Sequence, residues 1–226
     1  MQAVILAAGL GTRMGELTKN TPKPLLKIAD KTLLEHNLTA MPDEIDEVIL
    51  VVGYLKEQIK SFVGPQFLGK KITYVAQKEL RGTAHALSAC KDLLRDRFLV
   101  IMGDDLYYGK DLAELIRYPL SILVWEIKNN DLKDGRHAIV KMNGGGELLD
   151  IIERQPASKG MMVNAAAYVL NTDFFKYPML PAGNRTMEFG LPQTFLQMIR
   201  NGAKMNVVKA TFWHKVASPE DLRMPK

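Results

Sequence analysis

The chain has 226 residues, 47% of them hydrophobic and 24% charged, which is ample material for a core and marks an ordinary globular protein. A formal charge of +5 and a pI of about 9.2 admit either a nucleic-acid partner or an anionic small-molecule substrate. No run of about five basic residues and no interleaving of aromatic with basic residues occurs, so the small anion is favoured and nucleic acid is not expected. The single Cys90 excludes a disulfide within the chain and reads as a small buried side chain. There is no signal-peptide pattern and no apolar run of the roughly 18 residues that a spanning helix needs. No membrane association is expected, and cytoplasmic location is the default.

The first element, Ala3 to Ala7, is continuously apolar rather than alternating, which suits a parallel strand covered on both faces. It runs into Gly9-Leu-Gly11-Thr12-Arg13-Met14 and then Thr21-Pro-Lys23-Pro24-Leu25. Gly9 and Gly11 allow the backbone to turn and to offer N–H donors to anionic oxygens. Arg13 supplies a planar fork for phosphate oxygens, and Lys23 a compact charge on a segment stiffened by Pro22 and Pro24. A dinucleotide-binding turn is the competing reading, but it needs a third glycine where Met14 stands and a helix opening directly after it. A purely structural loop is the other, and it leaves Arg13 and Lys23 without a purpose.

Further along, Thr32 with Glu35 makes a capping box for a helix to about Ala40. A strand follows at Val48 to Val52, a helix at Leu55 to Phe62, a strand at Ile72 to Ala76, a helix at Thr83 to Leu94 and a strand at Phe98 to Met102. This alternation predicts an α/β fold with a doubly wound, mostly parallel sheet, whose ligand lies beyond the strand C-termini where the strand order reverses. Gln77, ending the third of these strands, offers an amide matched to a nucleobase edge. Gly82 is expected to let a ligand lie against the backbone, and Thr83 either caps its helix or lines the site. Asp104, at the end of a buried strand, is the candidate ligand for a hard cation such as Mg²⁺, which commonly takes one or two carboxylates plus substrate phosphates. Asp105 points away from it.

After residue 110 strands become more frequent: Ser121 to Ile127, Ala138 to Met142, Leu148 to Ile152, Val163 to Leu170 and Met205 to Val208, with Asn143-Gly-Gly-Gly146 as a tight loop. Glu188 to Asn201 reads as a helix with Pro192 near its first turn and Gly202 as a C-cap.

Together, the opening loop, Gln77, Gly82-Thr83-Ala84 and Gly103-Asp104 resemble the sugar-1-phosphate nucleotidyltransferases. Glu153-Arg154-Gln155-Pro156 is similar to that family's Glu-Lys-Pro, and Asn164-Ala-Ala166-Ala-Tyr168 to its Asn-Ala-Gly-x-Tyr. Trp213-His-Lys215-Val-Ala-Ser-Pro219-Glu-Asp-Leu222 is similar to Trp-x-Asp-Val-Gly-Thr-Pro-Glu-Asp-Leu. The resemblance implies a Rossmann-like mixed sheet with a small sugar-binding lobe. It also implies one nucleotidyltransferase domain over 1–226, with a nucleotide-binding half at 1–110 and a sugar-phosphate-binding half at 111–226. The implied substrates are a nucleoside triphosphate, UTP or dTTP favoured, and a sugar 1-phosphate, with Mg²⁺ as cofactor and a monomer or small homo-oligomer as the assembly.

By the same resemblance Arg13 and Lys23 are catalytic, Arg13 on the leaving pyrophosphate and Lys23 between the α-phosphate and the attacking sugar phosphate. Ala8, Gly9, Gly11, Thr12, Gln77, Gly82 and Thr83 bind the nucleotide, and Asp104 holds the metal. Glu153, Arg154, Asn164 and Lys215 bind the sugar phosphate, and Glu188 either joins them or serves only as an acid at a helix start. Three departures stand out: Lys215 where a second metal aspartate is expected, Arg154 with an extra Gln155 where a lysine is expected, and Ala166 for a glycine. They keep open a degenerate nucleotide or sugar-phosphate binder acting in regulation. A phosphocholine-type cytidylyltransferase shares the opening loop and is a further alternative.

Overall fold

The computed structural model describes residues 1–128, 137–183 and 185–223. In chain order its strands begin with β1 (Gln2–Ala7), β2 (Lys27–Ile28), β3 (Lys31–Thr32), β4 (Glu47–Val52), β5 (Gln66–Phe67), β6 (Lys70–Ala76), β7 (Arg97–Met102) and β8 (Asp105–Tyr107). They continue with β9 (Ser121–Glu126), β10 (His137–Met142), β11 (Leu148–Gln155), β12 (Met162–Asn171), β13 (Pro181–Ala182), β14 (Arg185–Phe189), β15 (Asn206–Lys209) and β16 (Trp213–Lys215). The α-helices are α1 (Leu33–Thr39), α2 (Lys56–Val63), α3 (Thr83–Ser88), α4 (Gly109–Leu115) and α5 (Leu191–Arg200).

All of β1 is buried. Val4 and Leu6 enter the core on one face of the sheet, while Ala3, Ile5 and Ala7 enter the core on the other. A strand with two dry faces has no use for polar alternation, which is why its sequence is an unbroken apolar run. β1 lies between β4 and β7 and is parallel to both, and β4 is parallel to β6. The ten-stranded sheet runs β11-β10-β12-β7-β1-β4-β6-β5, with β9 beside β12 and β15 beside β9. The chain leaves β1 toward β4 on one side and reaches β7 only later on the other. The loop after β1 therefore sits at the reversal of strand order, on the edge where open α/β sheets bind ligands.

Local signals are realised closely in the first half. Glu35 N donates to Thr32 Oγ1 at 3.1 Å, and Thr32 N donates to Glu35 Oε2 at 2.7 Å, closing the capping box of α1. The helix expected over Thr83 to Leu94 is shorter. It stops at Ser88 and resumes as a 3₁₀ turn at Lys91–Leu93, where Leu93 and Leu94 N–H both donate to Cys90 O. This tightening keeps Leu87, Cys90 and Leu94 together in one core. Cys90 is fully buried, and burial pushes its thiol up to about 12.

Glu188 does not open a helix. It lies on β14, and α5 begins at Leu191, with Pro192 in its first turn as expected. β12 bends at Ala166, which adopts φ 56°, and the register with β9 shifts between Asn164 and Tyr168. Asn164 holds this bend: its Oδ1 accepts from Ala166 N at 2.8 Å and its Nδ2 donates to Tyr168 OH at 2.7 Å. The short ladder of β16 on β8, with Lys215 opposite Asp105, was not legible in the sequence.

Candidate active site

A cleft of about 430 Å³ opens beyond β1 and β7, lined by Ala8, Gly9, Gly11, Thr12, Arg13, Lys23, Gln77, Gly82, Thr83 and Asp104, with Leu80, Glu188 and Ala217. Every nucleotide-side residue singled out in the sequence thus reaches one cavity. Gly9 is open: a Cβ built there meets nothing within 4 Å, so its backbone is bare toward the cleft. Gly11 is required differently, for it adopts φ +67°, and a Cβ there would stand 3.0 Å from Lys23 Cβ. Its bare backbone lets the loop close onto the Lys23 segment, and Met14 N–H and Thr18 Oγ1 both donate to Gly11 O. Thr12 and Arg13 are exposed on the rim.

Lys23 is only 5% exposed. Its Nζ donates to Asp104 Oδ2 at 2.6 Å and to Val216 O at 2.5 Å. A buried ammonium is tolerated because it is paired and hydrogen-bonded. The Asp104 side chain is 39% exposed, with its Oδ2 on Lys23 and its Oδ1 left for a ligand. Asp105 is buried and turned the other way, accepting from Trp213 Nε1 at 3.1 Å. Burial first, and then the Asp104 charge, push its carboxyl up to about 7, against the pull of Lys23, Trp213 and Lys215.

Among the described residues no cluster of three or more His, Cys, Asp or Glu could hold a metal. An ion shared between Asp104 and nucleotide phosphate oxygens nonetheless fits, since Mg²⁺ keeps several waters and asks for one or two carboxylates. With Lys215 opposite Asp105, the described residues give no second carboxylate like the one that the resemblance led us to expect.

Gln77 is buried, and its Nε2 donates to Gly82 O at 3.1 Å and lies 3.1 Å from His85 Nδ1. Gly82 O can only accept, which fixes the amide orientation and makes His85 Nδ1 an acceptor as well. Both amide hydrogens are then engaged, and Gln77 has only its Oε1 left to offer a ligand.

One expectation, that Thr83 caps its own helix, needs correction, and Gly82 has an internal reason for being glycine besides facing the cleft. Gly82 borders the cleft, but its lack of a side chain serves the protein's own packing. At φ +90°, a Cβ there would lie 2.4 Å from Phe189 O and 2.6 Å from Phe189 N, so β14 crosses directly over it. Thr83 does not cap its own helix; Gly82 occupies that position, and Thr83 Oγ1 accepts from Leu191 N at 3.0 Å, satisfying the first N–H of α5.

Of the sugar-side candidates, Glu188 lines this cavity, while Glu153, Arg154, Asn164 and Lys215 do not. Glu153 and Arg154 are exposed at the end of β11, Glu153 Oε1 accepting from Gln193 Nε2 at 3.4 Å and Arg154 standing at φ 56°. Asn164 is engaged in the β12 bend.

Several participants escaped the sequence. Tyr107 OH accepts from Met102 N at 3.4 Å and donates to Ala166 O at 3.2 Å, while Asn37 Nδ2 donates to Met102 O at 3.3 Å. Both backbone groups of Met102, two residues before Asp104, are thereby held by side chains. Asp221 closes the turn that follows β16. Its Oδ2 accepts from Ala217 N, Ser218 N and Ser218 Oγ at 2.9, 2.8 and 3.1 Å, and Ser218 with an acid three positions later is a readable capping signal. Burial opposes ionisation of Asp221, but these donors outweigh it and hold the carboxyl below its usual value.

The sequence profile described as nucleotidyl transferase matches residues 2–224. The chain belongs to this family. It is 30% identical over 226 residues to the bifunctional protein GlmU of Methanocaldococcus jannaschii, covering 98% of this chain and 52% of that one, so it spans about half the length of that relative. The UTP–glucose-1-phosphate uridylyltransferase AglF of Haloferax volcanii is 28% identical, covering 98% of this chain and 93% of its own. The D-glycero-alpha-D-manno-heptose 1-phosphate guanylyltransferase of Campylobacter jejuni is 34% identical over 176 residues, 77% of this chain and 78% of its own. Among solved structures, a putative glucose-1-phosphate thymidylyltransferase from Bacillus anthracis superposes with a TM-score of 0.82 at 20% identity, covering 98% and 92% of the two chains. That likeness bears on the fold, which is the mixed, mostly parallel α/β sheet expected. No helix among the described residues is long and apolar enough to cross a membrane.

Proposed function

We propose that this protein transfers a nucleoside monophosphate from a nucleoside triphosphate to a sugar 1-phosphate, forming a nucleoside-diphosphate sugar and releasing pyrophosphate. The observation that carries the reading is the single cleft in which the Gly9–Met14 loop, Lys23, Gln77 and Asp104 converge. An oxygen of the sugar phosphate, already an oxyanion, attacks the α-phosphorus. The α–β bridging P–O bond breaks, and its electron pair leaves with pyrophosphate. No general base is required, so catalysis rests on alignment and on neutralising charge.

Arg13, on the rim, grips the departing β- and γ-phosphates with its planar fork. Lys23 meets the α-phosphate with its remaining donor while Asp104 and Val216 fix its position. Asp104 Oδ1 would hold Mg²⁺ together with phosphate oxygens. When bound, that ion supplies Lewis-acid neutralisation of the triphosphate.

Gln77 Oε1, an acceptor, matches a ring N–H, which uracil, thymine and guanine carry and cytosine lacks. Cytosine offers its exocyclic amino hydrogens to the same acceptor, so the preference for UTP or dTTP rests on the resemblance of Gln77 and Gly82-Thr83-Ala84. Glu153, Arg154 and Asn164 are assigned to the sugar phosphate by resemblance, with Lys215 adding positive charge.

Incubating the protein with Mg²⁺ and each common nucleoside triphosphate against hexose 1-phosphates and phosphocholine, then measuring pyrophosphate, tests this reading. Release is expected with UTP or dTTP and a hexose 1-phosphate. Silence in every well, alongside retained nucleotide binding, would favour a regulatory binder, the second reading, for which the cation facing Asp105 is the supporting observation.

A further inference from the structure

The segment Ser218-Pro-Glu-Asp-Leu222 lies outside the roles assigned so far, yet it touches the site through one peptide group. Val216 C=O and Ala217 N–H belong to the same planar unit and point in opposite directions. The N–H donates to Asp221 Oδ2 at 2.9 Å, and the C=O accepts from Lys23 Nζ at 2.5 Å. An anion, a peptide dipole and a cation are thus aligned head to tail, an arrangement in which each hydrogen bond polarises the next.

The same carboxylate also binds Ser218 N–H and Oγ, and His214 Nε2 lies 2.6 Å from Asp221 O. The turn is therefore fixed at both ends. Val216 itself is buried with Met14 and Leu26, which flank the phosphate loop and the Lys23 segment.

We propose that Asp221 is a positioning residue for Lys23, acting through the Val216–Ala217 peptide to set where the ammonium stands in the cleft. The catalytic part of the proposal rests on Lys23 being the cation at the α-phosphate; the positional part does not. With Asp104 on one side and the Val216 carbonyl on the other, Lys23 has a single donor left for a ligand, and Asp221 fixes its direction.

Two readouts separate positioning from simple stabilisation of the turn. The first needs no substrate. Wild type and Asp221→Ala are treated with trace N-acetoxysuccinimide, and acetylation at Lys23 is quantified by mass spectrometry relative to the exposed Lys19 and Lys176. The variant is expected to label at Lys23 roughly tenfold faster, the population change that accompanies losing one hydrogen bond to a charged group. The second is steady-state pyrophosphate release, where kcat is expected to fall about 10- to 100-fold with a smaller change in KM.

Unchanged labelling at Lys23 overturns the proposal whether or not the protein is an enzyme. Faster labelling with unchanged kcat overturns its catalytic part. If no activity is found even for wild type, the labelling result still decides the positional claim, so the failure of the proposed function is distinguishable. Should Asp221→Ala not fold, Asp221→Asn keeps an acceptor without the charge; its Lys23 labelling must exceed wild type, and a rate equal to wild type overturns the proposal.

Discussion

Gly9 and Gly82 border the same cleft, and the contrast between their surroundings extends to the two halves of the molecule. Around Gly9 the chain faces open space, and each neighbouring candidate contributes a donor, a cation or a carboxylate to that space. Around Gly82 the neighbour is Phe189 of β14, and the requirement is internal. The sugar-side candidates follow the second pattern: Asn164 is committed to a bend, and Arg154 and Ala166 both stand in left-handed backbone. A residue that looks like a ligand contact can be one that builds the wall.

The largest expected effect lies on the open side. Lys23→Met removes the buried cation and leaves Asp104 without it; kcat/KM for pyrophosphate release should fall about 10²- to 10³-fold, the usual cost of losing one preorganised charge-stabilising donor. Gly82→Ala should act on the other property, destabilising the fold by about 2–4 kcal/mol in thermal or urea unfolding, because a Cβ at φ +90° collides with backbone. Gly9→Ala should change stability by no more than about 0.5 kcal/mol while weakening nucleotide binding in a titration. If both substitutions weaken binding alike and neither moves the unfolding midpoint, the contrast drawn between these glycines fails.

Gln77→Leu should lower kcat/KM with UTP about tenfold, the scale of one lost hydrogen bond at a base edge. Ala166→Gly gives the smallest change, a gain of up to about 1 kcal/mol in unfolding free energy, since glycine accepts φ 56° without the Cβ penalty. A loss instead would mean that the Ala166 methyl contributes packing that outweighs its strain.

The first half was readable because its constraints are local. A two-faced apolar strand, a capping box, prolines around Lys23 and glycines after β1 each encode a conformation within a few residues. That Asp104 and Gln77 face one cleft was legible because the end of a parallel strand dictates where its next side chain points. The far side depends on pairing between distant segments. Nothing near Asp105 announces Trp213 or Lys215, which reach it only through the β8–β16 ladder. Thr83 carried a true capping signal, but the helix it caps begins at Leu191. Glu188 sat next to a real helix pattern whose start was misplaced by three residues, from Leu191 to Glu188, because a short strand has too little periodicity to compete with it.

Tyr107 gives the two halves a common fastening. Its one hydroxyl meets the strand end that carries Asp104 and the carbonyl at the bend of β12. Straightening that bend would withdraw an acceptor from the hydroxyl and slacken its grip on Met102. The bend of β12 and the strand end that leads to Asp104 therefore share one hydroxyl, and a displacement at either is felt at the other through a single pair of hydrogen bonds.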